Sequence, residues 1–137
     1  MIDHQPWIDR IKAQVPALSN RVYDIAQFVR DAGGWPELPA AYVYPYRDHA
    51  GEAYESVSTR QVVVATMAVL IVVRATGTEE QRFSTLRNTR EAIRAALKGW
   101  VPDGAHDDVI FAGGQSEEIV DQDLIWEDRY MTRYLLN

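Results

Sequence analysis

Three histidines are the first residues of this sequence to consider for chemistry, because imidazole serves both as a metal ligand and as a general base. They are His4, His49 and His106, and each falls in a different predicted segment. None belongs to a His-x-x-x-His pattern, the spacing that places two ligands on one helical face. A metal site would need long-range convergence, whereas exposed loop histidines need none, so we expect neither a metal nor a cofactor.

The run His106-Asp107-Asp108 is a second candidate, because a carboxylate could orient a histidine as general base. Such a base needs a nucleophile or substrate group within reach, and no serine lies in a nucleophile-elbow pattern. A polar turn before a strand is therefore the preferred interpretation. The glycine pairs at 33–34 and 113–114 lack the flanking residues of phosphate-binding loops, and we interpret both as turns. The sequence predicts no catalytic residue and no enzyme.

Acidic residues are concentrated near the end of the chain, where carboxylate oxygens could hold a hard cation. Their spacing does not match a calcium-binding loop, so we prefer a surface that is solvated or lines a lumen. The residues concerned are Glu117, Glu118, Asp121, Asp123, Glu127 and Asp128.

Aromatic residues follow at a spacing of four, which places Trp126, Tyr130 and Tyr134 on one face of a strand. The same spacing also suits a helix. A core or sheet-packing stripe is the preferred interpretation, and a subunit interface is the alternative, because tyrosine and tryptophan are enriched in interfaces. The two interpretations are compatible with each other.

Composition and charge limit the partners that this chain can have. Its 137 residues have the size of one domain, so we predict a single domain over residues 1–137. A formal net charge of -6 disfavours binding to nucleic-acid phosphates, and the absence of cysteine excludes disulfides and thiolate zinc sites. We expect no secretory signal and no membrane span, because the apolar run 62–73 would rise only about 18 Å as a helix.

The first half of the chain predicts one helix and one strand, with an ambiguous segment between them. Apolar residues recur at helical spacing from Pro6 to Val15. The segment 21–25 fits a short strand or the start of a short helix that runs into the first glycine pair. Ala40–Tyr44 is predicted to form a strand that ends at Pro45. The polar stretch Arg47–Ser58 is predicted to form a long exposed loop.

The second half predicts a central strand, the clearest helix and three short strands. The run 62–73 is rich in β-branched residues and apolar on both faces, so the sheet should be covered on two sides by helices, another sheet or a neighbouring subunit. A helix follows between a capping box at Thr78 and a stop at Gly99. The short strands lie in 107–112, 117–120 and 124–136. We predict an α+β fold with two main helices on a mainly antiparallel sheet.

Several stretches of this sequence resemble the phage tail terminator family of Mu-like and related phages and prophages. In the first half they are the helix RIKAQVPAL, the segment LPAAYV and the QVVV that opens the long strand. In the second half they are EAIRAALKGW, FAGG, WEDRY and the closing YLL. The resemblance covers nearly the whole chain and consists of structural signatures without a catalytic motif.

Membership of that family would imply a structural virion protein of the tail, assembled in the host cytoplasm. It implies a ring, usually of six subunits, that caps the tail tube, ends tail polymerisation and presents a surface to head-completion or neck proteins. DNA would be passing cargo only, because like charge opposes phosphate binding. The alternatives are a head-to-tail connector or neck protein, a small metal-dependent hydrolase, and a small adaptor of bacterial origin.

The polar stretch Arg47–Ser58 is the first candidate for assembly contacts, because charged loops on a rigid sheet often serve in recognition. The aromatic residues near the end of the chain are the second. The residues that we expect to contribute are Arg47, Asp48, His49, Glu52, Trp126 and Tyr130.

Overall fold

Five strands form one sheet in a computed structural model that describes residues 1–50, 61–74, 77–117 and 123–136. The strands lie in the order β1-β2-β3-β5-β4, and only the β1–β2 pair is parallel. The α+β class with a mostly antiparallel sheet is confirmed, with three α-helices in the described ranges. The elements are α1 Gln5–Gln14, a 3-10 turn Pro16–Leu18, β1 Val22–Asp24, α2 Ile25–Asp31, β2 Ala40–Ala50, β3 Gln61–Val73, α3 Glu79–Leu97, β4 Ile110–Ser116 and β5 Leu124–Leu136.

The predicted N-terminal helix is confirmed as α1, which buries Trp7, Ile8 and Ile11. The ambiguous segment that follows forms both predicted elements in succession. Strand β1 pairs with β2, and the Asp24 carboxylate then accepts a hydrogen bond of 2.9 Å from the Gln27 amide, which starts α2. An aspartate cap thus turns a short strand directly into a helix.

Strand β2 is longer than predicted, because the chain continues in the sheet past Pro45. The register shifts between Pro45 and Arg47, so one extra residue forms a bulge that accommodates the missing proline amide. The loop prediction for Arg47–Ser58 is therefore wrong for Arg47 to Ala50, which pair with β3. Its remainder, which includes Glu52, lies outside the described residues.

The predicted central strand is confirmed as β3, which pairs along its whole length with β5. We name the two sides of the sheet by what covers them. On the first face, Met67, Val69 and Ile71 join a core with α1 and α3. On the second face, Leu70 and Val72 pack with α2 and the segment after it. Among the described residues, no helix is long and apolar enough to cross a membrane.

Helix α3 has the predicted boundaries. The Thr78 hydroxyl and the Gln81 side chain form a complete capping box, and Gly99 adopts a φ of 84° directly after the helix. Such a left-handed residue suits glycine. Leu86 and Leu97 are buried in the core, whereas Phe83 is 44% exposed because it lies near the helix start, outside the core.

The strand predictions for the end of the chain need two corrections. The glycine pair at 113–114 is not a turn, because β4 continues through it to Ser116. A bulge at this point, with Gly113 at a φ of 105°, keeps the chain in the sheet. Strand β5 is not short, because it has 13 residues. The predicted strand 117–120 lies largely outside the described residues.

Candidate functional site

A buried ion pair joins α3 to the first face of the sheet. Asp128 on β5 is completely buried, and the Arg90 guanidinium donates to its two carboxylate oxygens at 2.9 Å each. The indole Nε1 of Trp126 donates to the same carboxylate at 2.8 Å, and Arg90 lies 4.4 Å above the centre of the Trp126 ring. The charge on Asp128 is therefore paired and hydrogen-bonded, as a buried charge requires.

Gly114 on β4 leaves the space that this cluster occupies. It lies opposite Asp128 in the sheet. A Cβ at this position would lie 2.0 Å from an Asp128 carboxylate oxygen and 2.7 Å from the Trp126 Nε1 atom. Glycine is thus needed here for a close approach of side chains.

The aromatic stripe lies on the first face, and the predicted core packing is confirmed. Tyr130 is fully buried and meets Phe111 edge to face at 5.5 Å. Its burial raises the pKa of the Tyr130 phenol, and the nearby Asp128 raises it further. Trp126 and Tyr134 are partly buried against the same core.

A second polar group lies on the opposite face. Glu127 is only 4% exposed, and it accepts hydrogen bonds from the Tyr44 hydroxyl and from the Arg129 Nε atom. Burial first, and then the bond to Glu127, raise the pKa of Tyr44. The Arg129 guanidinium also lies 3.9 Å from the centre of the Tyr46 ring. Tyr44, Glu127 and Arg129 border an open cavity of about 550 Å³ beside α2.

The expectation of a solvated acidic surface is wrong for two of the six residues, whereas Glu117 is exposed and Asp123 is partly exposed. Glu127 and Asp128 are both buried, because each finds an arginine partner on its own face of the sheet. Glu118 and Asp121 lie outside the described residues. Within the described ranges, no three histidine, aspartate or glutamate side chains are grouped to hold a metal ion.

The three histidines occupy separate elements. His4 precedes α1, His49 lies on β2, and His106 follows α3 in a loop that bonds through its backbone to Arg133. The neighbouring Asp107 forms an ion pair with Arg133. The run at 106–108 is thus a polar segment before β4.

The structure separates the residues predicted to make assembly contacts. Arg47 and His49 share the second face, with 3.2 Å between an Arg47 guanidinium nitrogen and the His49 Nδ1 atom. Asp48 is on the first face, where it accepts a 2.7 Å hydrogen bond from the Tyr134 hydroxyl. Trp126 and Tyr130 also lie on the first face, beneath α3.

Sequence reasoning missed Arg90 as a partner for a buried acid and treated it as part of the polar side of α3. The position of Arg90 in the helix could have indicated this partner role. Arg90 lies four residues after Leu86 and three before Ile93, so it shares the apolar side of the helix. A charged residue at such a position needs a buried partner of opposite charge.

Comparison with known proteins identifies the family. The family described as "Phage tail terminator protein" matches residues 1–137, the whole chain. The chain belongs to this phage tail terminator family. No curated protein matches it.

A solved structure supports the fold. A chain of the "Virion of native gene transfer agent (GTA) particle" is similar with a TM-score of 0.63 and 16% sequence identity. The match covers 96% of this chain and 92% of that chain. By its family, this tail terminator is a structural protein of a phage tail, located in the virion, and is not an enzyme.

Proposed function

We propose that this tail terminator closes into a ring of identical subunits, six in number, that caps the tail tube and ends its polymerisation. The other side of the ring presents the surface to which head-completion or neck proteins bind. The match of the family to the entire chain carries this proposal. The protein assembles in the host cytoplasm and then remains in the virion.

The charge of the chain supports a ring through which DNA passes without binding. Six subunits of formal charge -6 would concentrate negative charge around the opening. Phosphates are repelled by like charge, and binding them would require basic residues that release counterions. DNA is therefore cargo, while the protein partners are further copies, the tube protein and the head-completion protein.

Deletion of the gene tests the role in the tail. Electron microscopy of lysates should show tails of uncontrolled length, because nothing would stop tube growth. Tails of normal length that lack heads would contradict the proposal and would instead indicate a head-to-tail connector or neck protein.

Arg47 and His49 are the contacts that we retain for assembly, because both side chains are exposed on the second face. Asp48, Trp126 and Tyr130 bond or pack within the subunit, so we propose that they support the contact surface indirectly. Glu52 remains a candidate from sequence.

Replacement Arg47→Glu tests the direct contact. It should weaken self-association or tube binding by about tenfold or more, because it reverses a charge at the contact. The thermal midpoint should change little, since the side chain is exposed. Sedimentation and binding to purified tubes would measure the effect, with Arg87→Glu on α3 as the matched control. Equal assembly of the two variants would remove Arg47 from the proposal.

A further inference from the structure

Strand β4 forms one edge of the sheet. It is the last strand in the order β1-β2-β3-β5-β4, and β5 pairs with it on one side. The Glu117 amide donates to the Ile125 carbonyl on β5 at 2.8 Å, and in an antiparallel pair the residues alternate between facing the partner and facing away. The backbone groups of Gly114 and Ser116 therefore point away from the sheet, and no described residue bonds to them from that side.

The chain begins a further strand position beside β4 and then leaves it. At the start of β4, the Val109 amide donates to the Trp100 carbonyl at 2.8 Å, and the Gly99 amide donates to the Val109 carbonyl at 2.9 Å. The residues before Gly99 belong to α3, so no described residue continues this position beside Phe111. Because Val109 faces outward, the alternation also turns the backbone groups of Phe111 outward.

The two longer segments outside the described residues are too short to fill this edge. Residues 118–122 connect two neighbouring strands and extend at most about 18 Å, whereas a path out beside Gly114 and back takes about 30 Å. Residues 51–60 leave and re-enter the sheet at the ends of β2 and β3, so they reach about 18 Å at most. The outer side of Phe111 is about 24 Å from Gln61, being six residues along the strands and three strand spacings across them.

The sequence of β4 does not protect this edge by charge. Edge strands are commonly guarded by lysine, proline or inward-pointing charges, because free backbone groups pair with other chains. The seven residues Ile110–Ser116 include none of these. The bulge at Gly113 interrupts the edge, yet Gly114 and Gln115 beyond it are exposed. The edge is therefore suited to accept a strand.

We infer that the outer edge of β4 accepts an extended strand of another tail protein, which becomes the sixth strand of the sheet. An extended backbone is the occupant that fits, because the free groups are uncharged donors and acceptors that alternate at strand spacing. Ile110, which is 50% exposed, offers an apolar neighbour to a side chain of that strand. The contact requires neither a ring nor a given number of subunits.

A second copy of this chain fits the edge less well. Its own outer strands are β1 and β4. Strand β1 has three residues, Val22 is only 1% exposed, and the Val22 amide already donates to the Asn20 carbonyl at 2.9 Å. Two β4 edges would form a two-fold pair, which closes on itself and adds no further protein. The occupant is therefore a different protein of the tail.

Hydrogen exchange of the full chain, free and in purified virions, tests the inference. In the free monomer, the outward amides of Gly114 and Ser116 should exchange rapidly, whereas the Gln115 amide, which faces β5, should be protected. In virions, the two outward amides should exchange at least about tenfold more slowly, because they would donate to the added strand. Amide-resolved NMR would measure the free chain, and mass spectrometry with fragmentation would measure the virions.

Replacement Ser116→Pro tests the edge by removing one outward N–H and no hydrogen bond to β5. Ser116→Ala is the matched control, since it removes the hydroxyl and keeps the N–H. Supplied to a phage that lacks the gene, the proline variant should yield about tenfold fewer complete virions than the alanine variant. The thermal midpoints of both variants would show that they fold. If the proline variant does not fold, the exchange of Gly114 in the unaltered chain decides.

The outcomes that count against the inference are distinguishable. Rapid exchange of Gly114 and Ser116 in virions would overturn it, as would slow exchange in the free monomer, because the edge would then be filled within the chain. Slow exchange in a dimer of the free chain would assign the edge to a second copy instead. Equal yields from folded proline and alanine variants would also overturn it. Absence of the unaltered chain from virions would contradict the proposed function itself.

Discussion

The two faces of the same sheet are covered to different extents. The first face lies beneath α1 and α3, and it closes around a core that includes a paired buried charge. Among the described residues, the second face is covered at one end, by the seven-residue α2 and the segment that follows it. Because β3 supplies apolar residues to both faces, the difference arises from the lengths of the covering helices. We propose that the chain folds around the first face and uses exposed residues of the second face for assembly.

The buried acids of the two faces also differ in their surroundings. On the first face, Asp128 is fully buried and accepts hydrogen bonds from the Arg90 guanidinium. On the second face, Glu127 is also nearly buried, but its partners Tyr44 and Arg129 border an open cavity. We therefore expect changes on the first face to act on stability, and changes on the exposed part of the second face to act on assembly.

Replacement Asp128→Ala should produce the largest loss of stability. It leaves the Arg90 guanidinium partly buried without its carboxylate, and breaking such a pair costs about 3–5 kcal/mol. Chemical denaturation would measure the free energy of unfolding. Glu91→Ala, at an exposed acid on the same helix, is the control and should change it by less than about 0.5 kcal/mol. Similar values for the two variants would show that the first face does not depend on this ion pair.

Replacement Gly114→Ala should have the next largest effect. The new methyl group would lie within 2.0 Å of an Asp128 oxygen, so β4 or the cluster must move, at a cost of about 1–3 kcal/mol. Gly34→Ala provides the comparison, since no atom lies within 4 Å of its added carbon and its φ is not in the left-handed region. Equal thermal midpoints for the two variants would contradict the close packing of the first face.

The smallest effect is the contribution of Tyr44, on the second face, to the pH dependence of the free energy of unfolding. The pKa of Tyr44 is raised by burial and by Glu127, so the folded state keeps this phenol protonated above pH 10. In the unfolded chain, the Tyr44 phenol ionises near pH 10. This ionisation stabilises the unfolded state relative to the folded state as the pH rises further. Unfolding should thus become easier above pH 10, and Tyr44→Phe should reduce that dependence. A denaturation series from pH 8 to 11 would show it, and identical slopes for both proteins would refute it.

Local signals in the sequence predicted the elements whose ends are defined by neighbouring residues. The capping box at Thr78 and the glycine at 99 gave the bounds of α3, because both act on the helix ends directly. The β-branched composition of 62–73 identified β3 for the same kind of local reason. The family resemblance added the role in the tail, which no residue chemistry supplied.

Elements whose continuation depends on a partner strand were predicted less well. Pro45 and the glycines at 113–114 looked like the ends of strands, yet β2 and β4 continue past them through bulges. A bulge is stabilised by pairing on either side, so it depends on residues distant in sequence. The burial of Asp128 was missed for a related reason, since its partner lies 38 residues earlier in the chain.

The sequence by itself determined the α+β class, the central strand, the capped helix and the family of this tail terminator. These depend on residue type, short-range spacing and similarity along the chain. Only the tertiary structure decided which acids are buried, which predicted contacts share a face, and which end of the second face α2 covers. Those properties depend on contacts between segments that are distant in sequence. The physical reason is that a buried charge needs a partner of opposite charge, and an apolar strand needs another element packed over it.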